Sequence, residues 1–196
     1  MQADGQYMTD KGRILQHIAE EISRCALCKK GGTGKAVPGE GNPDARIVFI
    51  GEAPGSEEAK VGRPFVGRSG KFLRQMIQDA GLDAKEVFIT SPVHYRPLRG
   101  APAKESILHG KEHLSMQLSI IDPDIIVLLG TTACLALLDK KVESTREHGR
   151  TVQKDGRTCL ITVHPAYAMR FPAGKEQFIH DFEKLRRMMK HVRPRN

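Results

Sequence analysis

Two hydrophobic rhythms alternate along the chain. Ile14, Leu15, Ile18, Ala19 and Ile22 recur at three- and four-residue spacing, which predicts an amphipathic helix from about Thr9 to Arg24 that stops at Cys25. Arg46-Ile-Val-Phe-Ile50 is instead a short continuous apolar run, the pattern of a strand buried on both faces. Glu86 to Thr90, Asp124 to Leu129 and Thr158 to Val163 have the same form. Helical spacing returns between them: through Phe72, Leu73, Met76, Ile77 and Ala80 with Ser69 as the expected cap, from about Ala103 to Ile121, and from Thr131 to Leu138. A basic helix from about Lys175 to His191 follows the last strand. Strands and helices that alternate through short connections predict an α/β fold, with a central, mainly parallel four-stranded sheet covered on both faces.

Ligands of such sheets bind beyond the carboxyl ends of the strands, and three chemically marked segments fall there. Gly51-Glu52-Ala53-Pro54-Gly55 follows the first strand. Its glycines let backbone approach a ligand and Glu52 offers a carboxylate to orient or activate water; the same residues also suit a plain strand-to-helix turn. Ser91 follows the second strand, and His164-Pro165-Ala166 the last. A neutral imidazole at His164 can donate a hydrogen bond to a developing anion, or simply cap the strand end. Phe65, in the Gly-rich stretch Gly62 to Gly70, is either a core plug or a ring offered to a planar ligand. The other Gly-rich stretch, Lys29 to Asn42, is a loop without Walker spacing.

At 196 residues the chain is expected to form one domain, with an N-terminal helix within residues 1–24 and a basic helix and tail over 175–196. Its uncharged apolar runs, such as Ile125 to Leu129, are far short of the ~20 residues of a membrane span, and the polar start lacks a signal peptide's apolar stretch. A cytoplasmic, monomeric protein without membrane contact is the expectation. The formal charge of +8 favours polyanionic partners such as nucleic acid, although a basic surface also serves solubility. Only 5% of residues are aromatic, which disfavours a binder that stacks many single-stranded bases. Of the four cysteines, Cys25 and Cys28 form a Cys-x-x-Cys pair with metal or redox character. Cys134 and Cys159 sit in apolar contexts as small core residues.

The ordered set GEAPG, GRPFVGRSG and HPA resembles the uracil-DNA glycosylase superfamily, most closely its family 4, over about Cys25 to Arg170. The resemblance implies a three-layer α/β/α sandwich and base-excision repair: uracil is flipped out of DNA and its N-glycosidic bond hydrolysed. By the same resemblance Glu52 and the backbone at Ala53 face the sugar and the attacking water, Phe65 stacks on uracil and His164 sits against O2. Gly51, Pro54, Gly55 and Ser91 complete the substrate-binding set. Arg63 and Arg68 are DNA-contact candidates, and Tyr167-Ala-Met-Arg170 matches the loop that presses into the duplex, with Met169 or Arg170 filling the vacated space.

Two positions depart from the family. Ser91 stands where family 4 has an asparagine that reads the Watson–Crick edge, and a hydroxyl reaches less far and reads less selectively. A glycosylase for another deaminated base, or a relative that binds damaged DNA without turnover, therefore stays open. A Rossmann-type nucleotide binder is disfavoured, because no G-x-G-x-x-G follows Ile50. No cofactor is required for the chemistry, yet the family usually holds a 4Fe-4S cluster on four cysteines. Cys25 and Cys28 match two of them, while Tyr95 and His109 occupy the other two positions. Three outcomes stay open: a cluster, a structural zinc on Cys25, Cys28, His109 and a fourth group such as His94, or an empty remnant.

Overall fold

The computed structural model describes residues 9–83 and 86–190. The first eight residues and the expected tail beyond residue 190 lie outside the described residues. Helix α1 (Asp10–Arg24) starts where Thr9 Oγ1 accepts the Gly12 N–H at 3.1 Å, and its apolar stripe Leu15, Ile18 and Ile22 is buried as the spacing predicts. Cys25 ends α1 and caps a single turn, α2 (Ala26–Lys29). Two short strands follow, β1 (Gly32–Thr33) and β2 (Glu40–Gly41), and then the fully buried β3 (Ile47–Ile50).

After GEAPG the chain makes α3 (Ser56–Val61) and α4 (Arg68–Asp79) before β4 (Val87–Thr90). The cap of α4 is Gly67, not Ser69: the helix begins two residues earlier because the Gly67 N–H is already held from outside by the Glu58 carboxylate. A two-residue β5 (Arg96–Pro97) pairs with β1. Next come α5 (Lys104–Ile121), β6 (Ile125–Leu129), α6 (Thr131–Leu138), α7 (Ser144–Glu147), β7 (Thr151–Lys154) and β8 (Arg157–Thr162). Two helices complete the described chain, α8 (Pro165–Arg170) and α9 (Pro172–Lys190).

β4, β3, β6 and β8 are the four predicted parallel strands, in that order. Antiparallel β2 and β7 extend them at the two edges to a six-stranded sheet. Those edge strands escaped the sequence reading because neither carries an apolar run; β7 alternates exposed and half-buried residues. The register lines up Ile89, Phe49, Val127 and Leu160 across the sheet, and Phe88, Val48, Ile126 and Cys159 one residue back. Successive side chains point to opposite faces, so the first row joins the core under α4, α8 and α9, and the second joins the core under α1, α5 and α6. Cys134 and Cys159 are wholly buried in the latter, and their thiols are pushed up to about 12 and about 11, chiefly by burial. They are packing residues, as expected.

The strand order reverses at β3, whose chain neighbours β4 and β6 lie on opposite sides of it. In open parallel sheets that reversal opens a crevice at the carboxyl ends, and GEAPG leaves β3 there.

Candidate active site and metal centre

Beyond the strand ends a cavity of about 130 Å³ is lined by Val37, Ala53, Pro54, Gly55, Glu58, Pro64, Phe65, Ser69, Ser91 and His164. It falls below the ~300–1,000 Å³ of pockets for drug-sized ligands, leaving room for one small planar ring. A larger cavity of about 790 Å³ lies between the α2 turn and the Pro97–Ser106 segment, with Cys28, Tyr95 and His109 in its lining. The smaller one gathers the predicted groups.

Gly51 continues β3, its N–H bonded to Thr90 O at 2.8 Å, and a Cβ there would lie 2.6 Å from the Phe65 ring. On the other side a Cβ at Gly70 would meet the Phe65 backbone at 2.1 Å. Phe65 is thus clasped between two glycines, with a left-handed φ of 51° that a bulky residue adopts only when its surroundings impose it. The buried Glu58 supplies part of that constraint, accepting the N–H groups of Val66 at 2.8 Å and Gly67 at 2.7 Å. Arg74 supplies more, donating to Phe65 O at 3.1 Å and Pro64 O at 3.0 Å. Phe65 is therefore only half-buried, a ring held at the cavity rather than a core plug.

His164 lies with its ring centroid 6.2 Å from that of Phe65. It caps α8, its Nδ1 accepting the Ala166 N–H at 3.2 Å. In the neutral ring this assigns the proton to Nε2, which is left as the donor. Burial lowers the His164 pKa, only partly offset by the negative charge of Glu52, so the neutral form prevails at neutral pH. Glu52 itself is half-buried and stands outside the cavity lining, its Oε2 accepting from Thr132 Oγ1 at 3.0 Å.

Ser91 lines the cavity but is buried, and its hydroxyl donates to Val93 O at 2.8 Å. Only its lone pairs remain for a ligand. A cleft of about 530 Å³ beside the cavity shares Glu58 and Ser69 with it and gathers Arg68, Met169 and Arg170. Arg63 faces elsewhere, ion-paired with Glu40 at 2.7 Å. Burial would raise the Glu40 carboxyl, but Arg63 and Arg74 together hold it below its usual range. The expected loop at Tyr167 to Arg170 is helix α8, and the half-buried Tyr167 packs on Phe171 with centroids 4.8 Å apart.

Where the α2 turn meets the middle of α5, Cys25, Cys28, His109 and His113 bring four donor atoms within 4.8 Å of one another, a group able to hold a metal. Cys25 Sγ lies 3.1 Å from His109 Nε2. Burial pushes Cys25 up, but the Cys28 N–H and the His109 and His113 imidazoles beside the sulfur outweigh it and leave the thiol at about 6. His94 is not part of the group. It is buried, holds Val37 O through Nδ1 at 3.3 Å, and is lowered to about 4 chiefly by burial. Its role is to brace the cavity wall at Val37.

Four residues escaped the sequence reading. His113 left a signal, since it stands four residues from His109 on a predicted helix and so shares its face. Glu58, Thr132 and Val37 left none, because each acts through a partner distant in sequence.

Residues 38–186 match the family described as the uracil DNA glycosylase superfamily. A type-4 uracil-DNA glycosylase of Thermotoga maritima is 35% identical over 189 residues, covering 93% of this chain and 98% of the relative. A second type-4 enzyme, from Sulfurisphaera tokodaii, is 40% identical over 185 residues, covering 89% and 84%. A type-5 uracil-DNA glycosylase of Thermus thermophilus is 33% identical over 150 residues, covering 66% of this chain and 68% of the relative. With its fold, its strand-end cavity and these likenesses in agreement, the chain belongs to the uracil-DNA glycosylase superfamily.

Proposed function

We propose that this protein, acting as a monomeric single domain in the cytoplasm, flips uracil out of DNA and hydrolyses its N-glycosidic bond. One observation carries the reading: a cavity for one ring, bounded by Phe65 and by a histidine whose Nδ1 is taken by the Ala166 N–H, which assigns the donor to Nε2. Cleavage of the C1′–N1 bond sends its electron pair to uracil, whose O2 gains negative charge while the sugar becomes cationic. His164 Nε2–H stabilises the first charge and the Glu52 carboxylate the second; water then adds to C1′ and gives up its proton towards Glu52. None of these steps calls on a cofactor. Gly51, Ala53, Pro54 and Gly55 shape the sugar side, Phe65 stacks on the base, and Ser91 accepts from uracil N3–H through its lone pairs. Arg68, Met169 and Arg170, gathered on the adjoining cleft, receive the strand. Arg63, Tyr167 and the +8 charge assist DNA binding less directly. Cys25, Cys28 and His109 belong to a metal centre apart from the chemistry.

Single-turnover excision from matched oligonucleotides carrying uracil, hypoxanthine or xanthine tests this reading. Release of free uracil as the fastest reaction is the expected result. Faster release of another base would assign the same machinery to that base, an outcome the short Ser91 hydroxyl makes worth measuring, and tight binding without release would leave a damage binder.

A further inference from the structure

A 4Fe-4S cluster, which the family resemblance implies, does not fit the residues present. Tyr95, at the position of the third cysteine, is buried and donates its hydroxyl to Ser23 O at 3.0 Å, so two thiolates rather than four face the site. The donor atoms are also too close together. Bonds of ~2.0–2.3 Å around one tetrahedral ion separate its ligands by about 3.3–3.8 Å, and the observed group lies within 4.8 Å. A cubane spreads its ligands wider, one at each iron corner.

We propose that Cys25, Cys28, His109 and His113 bind a single Zn²⁺ as a closed structural centre, independently of the glycosylase reading. The chain is arranged for it. Cys25 begins the α2 turn, with its Sγ accepting the Cys28 N–H at 3.4 Å, so both sulfurs project from one knuckle. His109 and His113 stand one turn apart on α5, their rings edge-to-face at 5.5 Å. Both ring nitrogens of His113 are buried and without a hydrogen-bond partner among the described residues, a state that a coordinated ion relieves at one nitrogen. Two thiolates with two imidazoles in a compact set suit zinc, and four protein donors leave no open position for catalysis.

The ion would clamp the α1–α2 corner to α5, and α5 backs the base cavity. A Cβ at Gly110 would lie 1.6 Å from Pro92 O, so the helix touches the turn next to Ser91 backbone to backbone. Further along α5, Gln117 accepts from Thr90 Oγ1 at 2.8 Å and donates to Pro38 O at 2.5 Å, bracing the same wall. Zinc on the middle of α5, with its two histidines flanking Gly110, would thus hold the helix against which the pocket is built.

The full chain, purified without chelator from cells supplied with both iron and zinc, is analysed for metals and acid-labile sulfide. About one zinc per chain in a colourless, sulfide-free protein is expected. Zinc-edge X-ray absorption of the wild type should read two sulfur ligands near ~2.3 Å and two nitrogens near ~2.0–2.1 Å. His113→Ala should weaken zinc by more than the ~10–100-fold that loss of an outer-shell partner brings, and His113→Cys should keep the metal. Stoichiometric iron with labile sulfide would overturn the proposal. So would a chain that stays metal-free when offered zinc, or a different donor set in the wild-type spectrum, a measurement that stands even if a variant fails to fold. An active glycosylase without zinc sinks only this proposal, and a zinc protein that releases no base sinks only the other.

Discussion

Two histidine-bearing sites of this molecule share no residue, and the fold treats them differently. At the strand ends His164 lines a cavity with one nitrogen satisfied by its own helix, and Glu52, whose charge acts on it, is bonded to a threonine. At the α2–α5 corner four donors converge on one another, and His113 has no hydrogen-bond partner at either nitrogen among the described residues. A single donor open to a cavity suits a partner that comes and goes during catalysis, whereas converging donors suit one that stays. The supports differ in the same sense. Main-chain bonds from Glu58 and Arg74 fix the Phe65 loop around an opening, while the metal group lies where two helices meet.

If this division holds, damage at the strand ends should appear in rate and damage at the corner in stability. His164→Ala should slow single-turnover excision by ~10²–10³-fold, the loss for one donor aimed at a developing oxyanion, with little change in Tm. An unchanged rate would remove His164 from the chemistry and collapse the contrast. Ser91→Asn should raise the ratio of uracil to hypoxanthine rates by roughly 5- to 150-fold, from about 1–3 kcal/mol for a well-placed buried polar contact. A constant ratio would show that backbone, not residue 91, reads the base.

Thr132→Val should cost roughly 2- to 10-fold in rate, because it removes one hydrogen bond of about 0.5–1.5 kcal/mol from Glu52. A rate equal to wild type would mean that Glu52 is positioned without it. The smallest effect concerns pH. Since the folded pKa of His164 is depressed, its contribution to stability is present above the ordinary imidazole value of about 6.5 and is lost as pH falls through the folded value. Denaturant titrations across that range should show a shallower acid loss for His164→Gln than for wild type, and parallel curves would assign the loss to other groups.

The helices and parallel strands were legible because burial on both faces of a sheet demands unbroken apolar runs such as Ile47–Ile50, and amphipathic helices demand the spacing of Leu15, Ile18 and Ile22. Edge strands β2 and β7 were not, since an exposed edge needs no such run. Residues proposed to meet the ligand were easier to find than residues that hold them: Glu52, Phe65 and His164 sit in marked motifs at strand ends, but Glu58 reads as one more charge in an acidic stretch until the fold turns it inward onto two N–H groups.

By itself, then, the sequence determined the alternation of elements, the strand ends at which chemistry gathers and the family, because these depend on local periodicity and on ordered motifs. Tertiary structure decided what depends on pairs distant along the chain. It turned the Ser91 hydroxyl onto Val93 O, bonded Arg63 to Glu40, and drew Arg68 to the same cleft as Met169 and Arg170. It also chose His113 over His94 as the fourth donor. Only the packing of α5 on the α2 turn sets which imidazole reaches two sulfurs 80 or more residues away.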